Sequence, residues 1–358
     1  MTDATGPVPD PASAEGAGAD ASASAADKPN PRRETAPGRA EQSEPVTDFH
    51  AQVRAARSDI ENQVQHAMAE FEQANERIKE RTGRDLILAI LIGVGIGAIL
   101  VLSLIFLSWP FVVFALAAAL LGIFEFGRAL SAAGHRVDLV PQLISGTVLV
   151  VSGYFLDPWM LWVVAFVAVT FVVVWRLIAQ MARRDGRSYG AVLTDVLVAA
   201  FMQLYVPFLT SLCVVLLTLP RGEWWVLAFI IVAVSADTGA YAIGLSLGKH
   251  PMAPRISPKK TWEGFAGAAA ASIIAAILLA LFMLGLPWWT GLVIGPVLLL
   301  SATAGDLGES MIKRDLGIKD MSSWLPGHGG VLDRLDSILP SAPVALGLAY
   351  LFIPLAGS

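Results

Sequence analysis

Nine stretches of this chain are apolar over the length that a membrane crossing demands. They run at about 86–107, 110–130, 139–156, 159–178, 191–218, 223–247, 264–285, 288–311 and 338–356. A helix needs about 20 apolar residues to span the hydrocarbon of a bilayer. Inside that hydrocarbon every backbone polar group has to be satisfied within the chain, which leaves helices for such long segments. The sequence therefore predicts an all-α polytopic membrane protein with about nine transmembrane helices, the range being eight to ten. The fifth stretch is too long for one straight crossing, so it is tilted, bent at Pro207, or split in two. Charged residues make up 15% of the chain, against about one-quarter in a soluble domain. That excludes a soluble enzyme, a nucleic-acid binder or a disordered protein as a reading of the whole. The lone Cys213 excludes an intramolecular disulfide and a Cys-rich metal site.

The formal charge of −5 arises entirely within residues 1–84, and residues 85–358 are neutral. Residues 1–45 contain no Leu, Ile, Phe, Tyr or Trp. Such a stretch cannot bury enough apolar area to offset chain entropy, so 1–47 is expected to be a disordered tail. It lacks the basic start and apolar run of a signal peptide. Residues 48–84 are expected to form a charged cytoplasmic helix, with Phe49, Val53, Ile60, Val64, Phe71 and Ile78 on one face. That helix is either a coiled-coil or docking element, or a solvated juxtamembrane segment. Residues 85–358 form the expected membrane domain.

Basic residues alternate between loops. Arg77, Lys79, Arg81 and Arg84 precede the first span, and Arg136 follows the second. Arg183, Arg184 and Arg187 follow the fourth. Lys249, Arg255, Lys259 and Lys260 follow the sixth, and Lys313, Arg314, Lys319 and Arg334 follow the eighth. On the opposite side only Arg221 occurs. The positive-inside rule puts the N-terminus and the long loops in the cytoplasm and the C-terminus outside. In the first span Gly93 and Gly97 have the Gly-x-x-x-Gly spacing that permits close helix approach.

The charges of the membrane domain gather in residues 235–337. Asp237 ends an apolar run, and Asp306 and Glu309 lie in the last turns of the eighth span. Carboxylates at such depths are costly unless they are paired, metal-bound or in a wet cavity. Asp306 and Glu309 are three residues apart and share a helix face, as do Asp333 and Asp336. This oxygen-rich set suits a hard divalent cation, Mg²⁺ above all. The competing reading pairs each carboxylate with a nearby Lys or Arg. Lys259, Lys260, Lys313, Arg314, Lys319 and Arg334 can hold phosphates through charge-assisted hydrogen bonds. Gly327, Gly329 and Gly330 admit an anion close to the backbone. His328, set among them, can orient a phosphate or move a proton. Gly244 to His250 resembles a P-loop but is one residue short between its glycines and lacks the Ser/Thr. These features predict a site at the cytoplasmic membrane surface for phosphorylated substrates, one of them a lipid, with phosphoryl or nucleotidyl transfer as its chemistry.

The run from Ser310 to Asp336 carries Ser-x-apolar-Lys-Arg, then Lys319-Asp320, then His328-Gly-Gly-apolar-x-Asp333-Arg-apolar-Asp336. It resembles the signature of the phosphatidate cytidylyltransferases, the CDP-diacylglycerol synthases. Asp237-Thr-Gly-Ala-Tyr241, Ser257-Pro-Lys-Lys-Thr261-x-Glu263-Gly264 and Gly305-Asp-Leu-x-Glu-Ser310 resemble that family as well. The resemblance implies conversion of CTP and phosphatidic acid to CDP-diacylglycerol and diphosphate, with Mg²⁺ in a two-metal site that leaves room for a monovalent cation. It implies Asp306 and Asp333 as metal ligands. It implies catalytic roles for Asp306, Asp333, Asp336, Lys313, Arg334 and His328. Substrate binding would fall to Asp237, Tyr241, Ser257, Lys259, Lys260, Thr261, Glu263, Glu309, Ser310, Arg314, Lys319, Gly329 and Gly330. A homodimer in the plasma membrane, acting without nucleic acid, is also implied. Two other readings stay open on the residues alone. One keeps the chemistry but changes the lipid. The other is a transporter, which should instead place its charges near mid-membrane in repeated halves.

Overall fold

The structure, a computed structural model, describes residues 65, 86–183, 186–322 and 329–356. The expected tail and the charged helix of 48–84 lie outside the described residues, apart from Gln65. The helices from Leu86 onward all belong to one unit, which ends at Ser358.

Each of the nine apolar stretches is helical. They are α1 (Leu86–Phe106), α2 (Ser108–Ala132), α3 (Leu139–Phe155), α4 (Pro158–Arg183), α5 (Tyr189–Gln203) continuing into α6 (Leu209–Thr218), α7 (Gly222–Leu247), α8 (Trp262–Leu279), α9 (Trp288–Asp315), and the short turn α10 (Leu332–Leu335) leading into α11 (Ile338–Phe352). Among the described residues, seven helical segments are long and apolar enough to cross a membrane by themselves. α3, at 17 residues, falls just short. The all-α polytopic membrane class is the observed one.

The long fifth stretch is a single helical run, Tyr189–Thr218. It accommodates Pro207 through a π turn at Leu204–Phe208. Proline lacks the N–H of the regular ladder and its ring crowds the preceding turn. Widening one turn keeps the chain helical around it. Of the three expected alternatives, the split into two segments is not what forms.

The apolar pattern is inverted relative to a soluble protein on several helices. Along α4 the large side chains Trp159, Trp162, Phe166 and Ile178 are exposed, and the small Ala165 and Ala168 are buried. That is the arrangement for contact with lipid tails, where helix packing relies on close approach of small residues. α7 and α8 take this furthest. A Cβ on Gly239 would come within 2.6 Å of Ala271 Cβ, and one on Gly267 within 2.6 Å of Ile243 Cβ. This close pair carries a two-stranded hairpin between its helices, Pro251–Ala253 with Ser257–Thr261.

Local signals set the helix ends near that hairpin. Thr261 caps α8 by accepting a hydrogen bond from the Gly264 N–H (3.1 Å). α9 runs four residues beyond its expected end and stops with Ile318 N–H on Lys313 O and Gly317 N–H on Arg314 O. Gly317, at φ +71°, supplies the left-handed residue that this double closure needs.

Candidate active site

The charged ends of α7, α9 and α10 meet the hairpin at one end of the bundle. A pocket of about 180 Å³ opens there, lined by Asp237, Tyr241, Lys259, Lys260, Thr261, Asp306 and Ser337 among others. Six of these seven were expected site residues, drawn from sequence positions almost 70 apart. Lys260 pairs directly with Asp306. Ser310 Oγ donates to the same carboxylate at 3.4 Å. Asp237 lies within electrostatic reach of Asp306, Lys260 and Arg334. Gly305 brings α9 against the backbone of Asp336 and the ring of Pro340, where a side chain would collide. Ser301 Oγ holds the same contact by donating to Pro340 O at 2.7 Å.

A second chain of charge runs behind this pocket. Lys313 Nζ donates to Glu309 Oε1 (3.2 Å) and to Asp333 Oδ1 (2.9 Å). Asp333 also accepts from the Met321 N–H (2.9 Å to Oδ2) and from the Gly330 N–H (2.8 Å). Its carboxylate therefore ties both flanks of residues 322–329 to α9. Asp336 accepts from the Ser337 N–H at 2.6 Å. Glu309 is buried, and its Oε2 has no hydrogen-bond partner.

Several expected substrate contacts have structural engagements. Glu263 accepts from the N–H groups of Lys249 (3.1 Å) and His250 (3.2 Å), so it fastens the start of the hairpin to α8. The Arg314 guanidinium leans on Ile256 O at 3.4 Å, bracing the hairpin from the α9 side. Ser257 starts the second strand and does not line the pocket. Lys319 is exposed beyond the end of α9. Gly329 takes φ +81°, and Gly330 lies where a Cβ would come within 2.7 Å of Glu125 Oε2. His328 lies outside the described residues.

Glu125 was missed by the sequence reading. It sits in α2, 2% exposed. Its carboxylate accepts from Ser322 Oγ (2.5 Å), the Val331 N–H (3.0 Å) and the Leu332 N–H (2.9 Å). It thus caps α10 from another helix, and with Asp333 it sets where Arg334 and Asp336 stand. Its signal was available, since one Glu among apolar neighbours in a span is costly without a task.

A separate charge cluster joins α3, α4 and α5. Buried Arg176 pairs with Asp138 at 3.0 Å, and Asp195 accepts from Arg187 at 2.5 Å and from the Arg136 N–H at 3.0 Å. Arg176 therefore serves helix packing, and Arg183 and Arg187 join it through Asp138 and Asp195.

Among the described residues no group of three or more acidic, His or Cys side chains is arranged to hold a metal ion. The donor chemistry nevertheless suits one. Asp306, Asp333, Asp336 and Glu309 offer hard carboxylate oxygens, and the buried Glu309 Oε2 lacks a partner. Such an oxygen is costly unless some cation or water answers it.

The comparisons agree with this chemistry. The model of the cytidylyltransferase family matches residues 87–352. A phosphatidate cytidylyltransferase of Mycobacterium bovis is 40% identical over 278 residues, which is 74% of this chain and 88% of the relative. That of Mycobacterium leprae is 39% identical over 281 residues, with the same two shares. One from Staphylococcus saprophyticus is 41% identical over 128 residues, 36% of this chain and 49% of its own. With three-quarters of its length matched and its charges gathered in one pocket, the chain belongs to the cytidylyltransferase family and is a nucleotidyltransferase enzyme.

Proposed function

We propose that this enzyme transfers the cytidylyl group of CTP to phosphatidic acid, giving CDP-diacylglycerol and diphosphate. The observation that carries the reading is the pocket in which Lys259, Lys260, Asp237 and Asp306 meet at the end of a membrane-spanning bundle. A lipid phosphate oxygen bonds to the α-phosphorus of CTP, the bond from that phosphorus to the bridging oxygen breaks, and diphosphate leaves. Little covalent chemistry falls to the protein, so positioning and charge neutralisation dominate. Lys259 and Lys260 hold phosphate oxygens of the nucleotide. Arg334 holds the lipid phosphate, and Lys313 holds Glu309 and Asp333 in place. Mg²⁺, held by Asp306 and Asp333, supplies neutralisation of the developing charge when bound.

The charge sorting of the loops supports a cytoplasmic site and N-terminus and an outside C-terminus, and we assign the protein to the plasma membrane. We further place a homodimer there, with no role for nucleic acid.

Purified enzyme given Mg²⁺, labelled CTP and phosphatidic acid should form CDP-diacylglycerol. Chelation by EDTA should lower turnover by at least about 100-fold. Absence of product from phosphatidic acid, or product from a different lipid phosphate alone, would overturn the reading. Glu263→Gln should change turnover and both KM values by less than about threefold, because its partners belong to an exposed hairpin junction. A tenfold rise in KM for CTP would instead make Glu263 a substrate contact.

A further inference from the structure

Beside the polar pocket lies a second cavity, about 390 Å³, of opposite character. It falls within the roughly 300–1,000 Å³ of small-molecule sites. Its walls come from α1, α2, α6, α7 and the 331–342 segment, with Phe111, Phe114, Ala118, Leu121, Ile230 and Leu335 among them. Two lining residues carry polar side chains. Thr210 spends its hydroxyl on Val206 O of its own helix (2.8 Å). Arg334 is exposed and is the one charged residue in the lining.

The cavity and the polar pocket share one wall. Arg334, Leu335 and Ile338 line the apolar side, and Ser337 lines the polar side. The Arg334 charge also acts on Asp237 in the polar pocket. One short turn therefore presents hydrocarbon and the Arg334 side chain to one cavity and the Ser337 residue to the other. Small residues on α2, Ala115, Ala117 and Ala118, keep the apolar cavity open.

We propose that this cavity is the seat of one acyl chain of the lipid substrate, with Arg334 at its mouth receiving the lipid phosphate. This rests on the reaction proposed above and adds to it where the chain lies. The charge match is specific. A phosphatidate joins an apolar chain to a phosphate monoester across a few bonds, as the wall joins the apolar cavity to Arg334. Chain length is then read by α2, away from the reacting atoms.

The experiment compares kcat/KM for dioleoyl and dihexanoyl phosphatidate. In Ala118→Phe the ratio of long to short should fall by about tenfold, roughly the loss of two buried methylenes. KM for CTP should stay put. An unchanged ratio, or an equal loss on both lipids, would overturn the proposal. If that variant does not accumulate in the membrane, Ala117→Leu is read in the same way. A second arm does not require turnover. Wild-type enzyme is irradiated with phosphatidate carrying a diazirine at the end of one acyl chain, without CTP. Label concentrated in peptides of α2 and 331–342 supports the seat, and label spread evenly over the outer helices overturns it. If no phosphatidate is turned over but the label still concentrates there, the proposed reaction fails and the acyl-chain seat stands.

Discussion

Asp333→Asn is expected to lower turnover by about 100- to 1,000-fold while leaving the helical content of the enzyme unchanged. The Asp333 carboxylate is used on every side. Oδ1 faces Lys313 Nζ at 2.9 Å, and Oδ2 faces the N–H groups of Met321 and Gly330 at 2.9 and 2.8 Å. An amide puts an NH₂ donor against either an ammonium or a backbone N–H, whichever way it turns. Removing one partner of a buried pair costs about 3–5 kcal/mol. At roughly 1.4 kcal/mol per factor of ten, the lower half of that cost, about 3–4 kcal/mol, falling on the catalytic geometry gives the stated range. Lys313 would keep Glu309 alone, and the flanks of residues 322–329 would lose their common anchor. Steady-state kinetics alongside circular dichroism in detergent checks both halves. Turnover within tenfold of wild type would mean that the Asp333 charge is dispensable.

The second large effect is expected far from the signature, in α2. Glu125→Leu should lower turnover by about 100-fold and open the 321–332 region to protease. Three donors, Ser322 Oγ and the N–H groups of Val331 and Leu332, converge on this carboxylate at 2.5–3.0 Å. Hydrogen bonds to a charged acceptor contribute about 1.5–3 kcal/mol each, and leucine leaves all three donors without one. Glu125→Gln keeps one acceptor oxygen and should fall between wild type and Leu. Limited proteolysis separates this from a global effect, since cleavage should concentrate at 321–332 rather than spread along the chain. Uniform cleavage, or unchanged turnover in Glu125→Leu, would remove Glu125 from the positioning of Arg334 and Asp336.

Much of this molecule could be read from the sequence for identifiable reasons. A run of apolar residues in a bilayer has few structural choices, so each of the nine stretches is a helix. The i, i+3 spacing of Asp306 and Glu309 was legible because α9 is regular there. What that spacing could not convey is their inequality. Asp306 lines the pocket, whereas Glu309 is buried behind it with Lys313. Glu263 stood in a motif among lysines, and its motif neighbours said nothing of the Lys249 and His250 N–H groups that it binds. Glu125 could be noticed as a lone acid in a span, but its partners could not be read. Its partners lie about 200 residues away, and local periodicity carries no information over that distance. Arg176 has no sequence neighbour that explains it, because Asp138 and Asp195 face it only after three helices pack.

The reach from Glu125 to its partners also has a meaning in time. Leu332 follows Glu125 by 207 residues. A ribosome adding about 5–20 residues per second needs on the order of 10–40 seconds to make that stretch. During that interval α2 sits in or beside the membrane with an acidic group whose eventual donors have not been synthesised. A carboxylate so placed needs water or a temporary partner until then. The active end of the molecule is consequently closed late, by the last hundred residues threading back to an acid laid down near the beginning. A chain interrupted before residue 321 would hold most of its helices and still lack the means to set its own catalytic turn.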